Sequence, residues 1–263
     1  PLKWHKELFA YAKKNKIACF STPFDETAVD FLEKLNCPMY KVASFEMTDL
    51  PLIKKIAQTK KPMIISTGMA NLNEIELTYK TAKKYGTKDI TLLYCVSNYP
   101  SKISDFNLNN IKILKKKFKC RVGLSDHSTE EKIAVAAIAS GAEVIEKHIA
   151  LENQKTGLDI KFSLKGKEIK KFKNAMNESY QLLSRKKFYR NKSEHKNKIF
   201  RRSIFAVKNI KRGQIFNNEN IRRIRPGFGL PPKYYEKLLK KKSPVSIKAG
   251  EPLTTSILKK IFF

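Results

Sequence analysis

Arg121-Val-Gly-Leu-Ser-Asp-His127, the helix-like stretch Glu130–Ser140 with Gly141 behind it, and Val144-Ile-Glu-Lys-His148 together decide the fold. Two short runs of β-branched and apolar residues each end in a histidine. A charged, amphipathic segment stopped by glycine joins them. That is the pattern of two parallel strands connected by a helical crossover. The same unit recurs toward the N-terminus, roughly every 23 to 30 residues. Its strands are Ile17-Ala-Cys-Phe-Ser-Thr22, Tyr40-Lys-Val-Ala-Ser44, Met63-Ile-Ile-Ser-Thr67 and Ile90-Thr-Leu-Leu-Tyr-Cys-Val96. Asn73–Tyr85, closed by Gly86, is another crossover helix. Strand and helix in alternation give an α/β fold.

Polar and ionisable residues gather at the C-terminal end of nearly every strand: Thr22, Ser44 and Glu46, Ser66 and Thr67, Asn98, Ser125 and His127, and His148. An open sheet concentrates its ligand groups at one switch point. A closed barrel spreads them around the rim. The even spread selects a (βα)8 TIM barrel, two strands short of complete. Lys167–Ser184 then carries Ile169, Phe172, Met176, Tyr180 and Leu183 at helical spacing, a single buried stripe. Residues 185–199 are basic and aperiodic and read as a linker. From Phe200 onward short strands and Gly-Pro turns predict a compact second domain. Within it Ile210-Lys-Arg-Gly-Gln and Ile247-Lys-Ala-Gly-Glu echo each other. The expected organisation is a barrel over 1–184, a linker over 185–199 and the small domain over 200–263.

The net charge is +30 over 263 residues. Nucleic-acid binding is one reading of it. However, the lysines fall along the whole chain (Lys13-Lys14, Lys83-Lys84, Lys115-Lys116-Lys117, Lys170-Lys171, Lys240-Lys241-Lys242) and no nucleic-acid motif accompanies them. A general lysine bias with non-specific polyanion adhesion is expected instead, and no specific nucleic-acid partner. No apolar run approaches the roughly 18 residues of a membrane span, so no membrane partner is expected. The scattered Cys19, Cys37, Cys95 and Cys120 point to reduced thiols and a cytoplasmic address. The chain opens Pro1-Leu2-Lys3-Trp4-His5 without Met, and is expected to be a piece of a longer one.

His127 and His148 end successive strands, so a barrel would bring both imidazoles to one rim. There they can hold a divalent ion with open positions, or serve as hydrogen-bonded structural histidines. Lys41 either enters the lumen, where it needs an anion, or snorkels along the outer face. Glu46 lies past the strand end. Thr22, Ser44, Ser66, Asn98 and Ser125 form a ring of small donors. Each can cap a helix, and together they can bind phosphate. Asp159 and Arg225 taken alone read as solvated charges.

Ser21-Thr-Pro-Phe24, Tyr40-Lys-Val-Ala-Ser-Phe-Glu46, Ile65-Ser-Thr-Gly-Met69, Val122-Gly-Leu-Ser-Asp-His-Ser128, Val144-Ile-Glu-Lys-His148 and Ile224-Arg-Pro-Gly-Phe-Gly-Leu230 together resemble the sialic acid synthase family over the whole chain. The resemblance implies a (βα)8 barrel, here lacking its first two βα units, followed by an antifreeze-like (SAF) domain. It implies a swapped homodimer in which one subunit's SAF domain covers the other's active site. His127 and His148 then hold Mn2+ or Mg2+. Lys41, Thr22, Ser44, Ser66, Asn98 and Ser125 match positions that bind phosphoenolpyruvate. Glu46 matches a carboxylate that contacts the sugar and moves protons, and Asp159 a sugar contact. Arg225 matches an arginine that reaches the sugar's acyl group from the partner subunit. The implied reaction joins the enol carbon of phosphoenolpyruvate to a metal-polarised sugar aldehyde, with water addition and C–O cleavage releasing phosphate.

Ala43-Ser-Phe-Glu-Met-Thr-Asp-Leu-Pro-Leu-Ile53, Leu158-Asp-Ile-Lys-Phe-Ser-Leu164 and Gly227-Phe-Gly-Leu-Pro-Pro-Lys-Tyr-Tyr235 resemble the pseudaminic acid synthase branch. That branch acts on a 2,4-diacetamido-2,4,6-trideoxyhexose of the altrose type. The N-acetylneuraminate branch has Pro-Asp-His where this chain has Leu158-Asp159-Ile160. An N-acetylneuraminate or legionaminate synthase is the neighbouring expectation, and a polyanion-binding barrel remnant the non-enzymatic one. Because family motifs upstream of residue 1 are absent, this chain alone is expected not to catalyse. An exposed apolar edge is expected where two strands belong.

Overall fold

The computed structural model describes residues 2–183 and 187–262. They fall into two compact units, Pro1–Lys186 and Lys187–Phe263. The expected end of the long helix at Ser184 and the start of the linker at Arg185 and Lys186 lie outside the described residues.

The first unit is a parallel half-barrel. Its five-stranded sheet runs β1 (Tyr40–Val42), β2 (Met63–Ser66), β3 (Ile90–Cys95), β4 (Arg121–Asp126) and β5 (Val144–Lys147), each strand parallel to the next in chain order. The crossover helices are α3 (Leu50–Gln58), α4 (Leu72–Lys84), α5 (Asn109–Phe118) and α6 (Glu131–Ala139). Helices α1 (Lys3–Lys14) and α2 (Glu26–Lys34) precede β1, and α7 (Lys167–Leu183) packs on α6. Local chemistry sets the helix ends. Asp25 and Asp49 accept the Ala28 and Leu52 amides, and Asn71 and Glu74 form a reciprocal capping box on α4. Gly86 and Gly141 take φ of +125° and +101° just past α4 and α6, conformations that oppose any side chain.

Tyr40, Val42, Met63, Ile65, Leu92, Val122 and Leu124 are buried with Leu52, Ile53, Ile56 and Ile111 in one continuous core. Gly123 has to be glycine for a different reason. A Cβ there would sit 2.1 Å from the Val144 carbonyl oxygen and 2.7 Å from the Leu93 side chain. The close approach of β4 to β5 depends on its absence.

One expected strand does not form. Ile17–Thr22 contributes a single parallel bridge, Ser21 to Tyr40, and the Lys41 amide donates to the Ser21 carbonyl at 3.3 Å. Within this segment only Ser21 comes into bridging register with β1. Ile17 is 65% exposed. Trp4, Leu8 and Tyr11 on α1 are exposed beside it in sequence, at 57, 56 and 70%. No described helix is long and apolar enough to cross a membrane.

The second unit pairs β8 (Ser203–Ala206) antiparallel with β9 (Ile221–Ile224), over a core of Ile204, Phe216, Ile221, Leu230, Leu238, Ile247 and Leu253. Between these and β5 in the chain lies the small β6 (Ile149–Ala150) and β7 (Leu164–Lys165) pair. The two echoing segments meet. Ile210 and Ile247 exchange both backbone hydrogen bonds at 2.8 Å. In each segment the residue after the glycine folds back: Gln214 accepts from the Lys211 amide and Glu251 from the Lys248 amide, both at 2.9 Å. Residues Lys192–Phe200, spanning the end of the expected linker and the first residue of the expected small domain, form 3-10 turns.

Candidate active site

The strands deliver their C-terminal ends to one cavity of about 400 Å3. Thr22, Lys41, Ser44, Ser66, Ser125, His127, His148 and Asp159 all line it. Glu46, Asn98 and Arg225 do not. The Asn98 side chain is exposed and donates to Asp105 at 3.2 Å. Glu46 lies in the turn after β1 and keeps one carboxylate oxygen buried without a hydrogen-bond partner. Arg225 belongs to the second unit, where it is exposed and borders a basic cleft with Lys198, Arg201 and Arg202.

Lys41 turns inward, which resolves its two sequence readings. It is 7% exposed, and its ammonium donates to Ser66 Oγ at 2.8 Å and to the Val42 carbonyl at 2.9 Å. Burial pulls its pKa below the ordinary lysine value, and the Glu146 charge opposes that pull. Ser44 accepts from Ser97 at 2.9 Å. Gly68, at φ +48°, lies so close beneath this pair that a Cβ would come within 2.5 Å of the Ser44 Cβ.

His127 and His148 stand with ring centroids 5.2 Å apart. His127 Nδ1 meets the Val96 carbonyl at 3.0 Å, and His148 Nδ1 meets Asp159 Oδ2 at 3.3 Å. In both rings the δ nitrogen is engaged by oxygen, the arrangement that orients a metal-binding imidazole and leaves Nε2 for the ion. The pair therefore fits a two-histidine site with open positions. No group of three or more His, Cys, Asp and Glu side chains is gathered as a metal cage among the described residues. Burial lowers the His127 pKa below its usual value, favouring the neutral ligand form. The Tyr99 ring lies 4.3 Å from the His127 ring, and the Phe162 ring 5.1 Å from that of His148.

Three contributors were not singled out from sequence. Glu146 accepts from Ser125 Oγ at 2.6 Å and lies 3.8 Å from the Lys41 ammonium. It lies on β5 two residues before His148, which directly follows that strand; both line the cavity, and alternation alone could have found it. Cys95 and Tyr99 also line the cavity. On the opposite face, Asp126 and Lys147 are register partners and form a 2.8 Å ion pair with side chains 0 and 7% exposed. Lys147 also donates to the Ser128 carbonyl, and Asp126 accepts the Ser128 amide at 2.8 Å.

A parallel half-barrel with a polar rim cavity and two oriented histidines, followed by a small β unit, defines a TIM-barrel enzyme scaffold. Residues 1–188 match the NeuB family and residues 201–259 match the SAF domain. The chain belongs to the NeuB family. It is 42% identical over 253 residues to the pseudaminic acid synthase of Campylobacter jejuni, covering 96% of this chain and 74% of that protein. It is also 42% identical over 253 residues to the N,N'-diacetyllegionaminic acid synthase of the same organism, covering 95% and 76%. Among solved structures, a putative spore coat polysaccharide biosynthesis protein E from Chromobacterium violaceum superposes with a TM-score of 0.80 at 25% identity, over 98% of this chain and 78% of that one. An N-acetylneuraminic acid synthetase from Leptospira borgpetersenii gives 0.71 at 32% identity, over 75% and 69%.

Proposed function

We propose that the rim cavity is the active site of a nonulosonate synthase, binding phosphoenolpyruvate and condensing it with a 2,4-diacetamido-2,4,6-trideoxyhexose of the altrose type to give pseudaminic acid and phosphate. The observation that carries this reading is the inward Lys41, converging with Ser66, Ser125, His127 and His148 on one cavity in a NeuB-family chain. A buried ammonium ringed by hydroxyls is a receptor for a small polyanion.

In this reading Lys41 neutralises the phosphate, and Ser66, Ser44, Thr22 and Ser125 fix its oxygens. Orientation then replaces a bimolecular encounter with a positioned one. His127 and His148 would hold Mn2+ or Mg2+ through Nε2. That ion would supply Lewis-acid polarisation of the sugar aldehyde. Asp159 keeps the His148 ring aligned and lies within the same cavity for a sugar contact. Glu46 is assigned the sugar contact and proton transfer, a role that requires the turn after β1 to bring its unpartnered carboxylate oxygen to the cavity. Arg225 is assigned to the sugar's acyl group, supplied by a partner subunit, and Asn98 to the phosphoenolpyruvate only if its loop turns inward. The reaction is assigned to the cytoplasm.

The equal identity to the legionaminic acid synthase favours one second reading, the same condensation on a differently configured diacetamido sugar. The test is phosphate release from phosphoenolpyruvate with Mn2+ and each candidate sugar. It is run on this chain and on this chain joined to the part of a relative that it does not span. Release with the altrose-type sugar is expected from the joined protein. Preference for another diacetamido sugar would select the second reading, and no release with any acylamino sugar would overturn the synthase assignment.

A further inference from the structure

Glu146 engages two of the groups assigned to the phosphate. One of its carboxylate oxygens takes the Ser125 hydroxyl at 2.6 Å, and the other faces the Lys41 ammonium at 3.8 Å. Both partners are buried: Lys41 is 7% and Ser125 2% exposed. The Lys41 ammonium also donates a hydrogen bond to Ser66, itself 2% exposed. Two groups assigned to the phosphate, Lys41 and Ser125, thus share one internal anion, and Lys41 ties in the third, Ser66. Glu146 itself is only half-buried, at 36% side-chain exposure, and borders the cavity, so it can swing away without leaving its strand.

We infer that Glu146 is a built-in placeholder for the substrate's anionic group. It satisfies Lys41 and Ser125 while the site is empty and is displaced when a phosphate or phosphoenolpyruvate enters. This rests on the reading that the Lys41 cavity binds such an anion. Two effects follow with opposite signs. The empty site gains stability from Glu146, because a buried ammonium left without a counter-charge is costly. The ligand loses affinity to Glu146, because it must break the pair and approach a like charge. A carboxylate with a purely structural role would have only the first effect. One serving as a direct ligand contact would strengthen binding.

The experiment uses the whole chain and Glu146→Gln, with inorganic phosphate and phosphoenolpyruvate as probes in isothermal titration calorimetry, and thermal melts with and without each. Gln keeps the size and a group for Ser125 but removes the charge. The variant is expected to melt lower than the parent when empty and to bind phosphoenolpyruvate about tenfold more tightly. Its melting temperature should therefore rise more on ligand addition than the parent's. A Lys41→Met background should erase the affinity gain, since nothing is left to compete for. Unchanged or weaker binding by Glu146→Gln, with the parent binding normally, would overturn the placeholder and leave the anion site standing. If neither protein binds either probe, the anion site fails and the placeholder with it. If Glu146→Gln does not fold, Glu146→Asp is read instead. Its shorter arm loosens the pair, so affinity should rise between the two limits, and a fall would again overturn the placeholder.

Discussion

The Asp126–Lys147 pair sits directly behind the two histidines, and its removal should be felt in both stability and metal affinity. Asp126 precedes His127 and Lys147 precedes His148, so the pair ties the two strand ends at the register that sets the imidazoles side by side. Asp126→Asn keeps an oxygen for the Ser128 amide and removes only the charge opposite Lys147. With side-chain exposures of 0 and 7% there is little solvent to screen the orphaned ammonium. Breaking such a buried pair costs about 3–5 kcal/mol. Lys147 retains the Ser128 carbonyl, so the low end, about 3 kcal/mol, is expected. Urea unfolding of the first unit should then shift its midpoint down by about 1 M or more, given slopes of about 1–3 kcal/mol per molar. Mn2+ affinity, read by calorimetry on the folded variant, should fall at least tenfold, as for other partners that orient metal-bound histidines. A second change, Lys147→Met, should recover much of the stability by leaving no buried charge. A loss below about 1 kcal/mol for Asp126→Asn, or intact Mn2+ affinity, would refute the reasoning.

Other expectations are simpler. Gly123→Ala should destabilise the first unit by about 3 kcal/mol, because its Cβ meets the Val144 backbone, which cannot move aside, as well as the Leu93 side chain, and loss of the whole unfolding transition is the stronger form of the same result. His127 titrates below the usual histidine value because it is buried. The unfolded chain therefore takes up the proton first. The stability this supplies is complete above about pH 6.5 and is lost as the pH falls through the folded value. Melts of metal-free protein between pH 7.5 and 5 should show it, and His127→Gln should flatten that part of the slope.

How much of this was legible in the sequence varied with how local the cause is. Strands β1 to β5 and the two glycine-closed helices depend on neighbours within a few residues and could be read. Ile17–Thr22 reads as equally strand-like, yet a single bridge to β1 forms and Ile17 stays exposed. The inward turn of Lys41 could be posed but not decided, because it depends on Ser66 and Glu146, 25 and more residues away. Glu146 hid between His148 and the partly buried Ile145, although its alternation with His148 was available. Asn98 was read as part of the rim from position alone, while a local partner, Asp105, holds it outside the cavity. The pairing of Ile210 with Ile247 shows the opposite case, where a faint internal echo in sequence corresponded to a real contact.

The central claim is that the Lys41 cavity receives phosphoenolpyruvate. Calorimetric titration of this chain with phosphoenolpyruvate measures it most directly, since it needs neither the sugar nor turnover. One molecule bound per chain is expected, with at least a tenfold loss in Lys41→Met and a smaller loss in Ser66→Ala. Binding that survives unchanged in Lys41→Met would contradict the assignment and move the anion site elsewhere on a strongly basic surface.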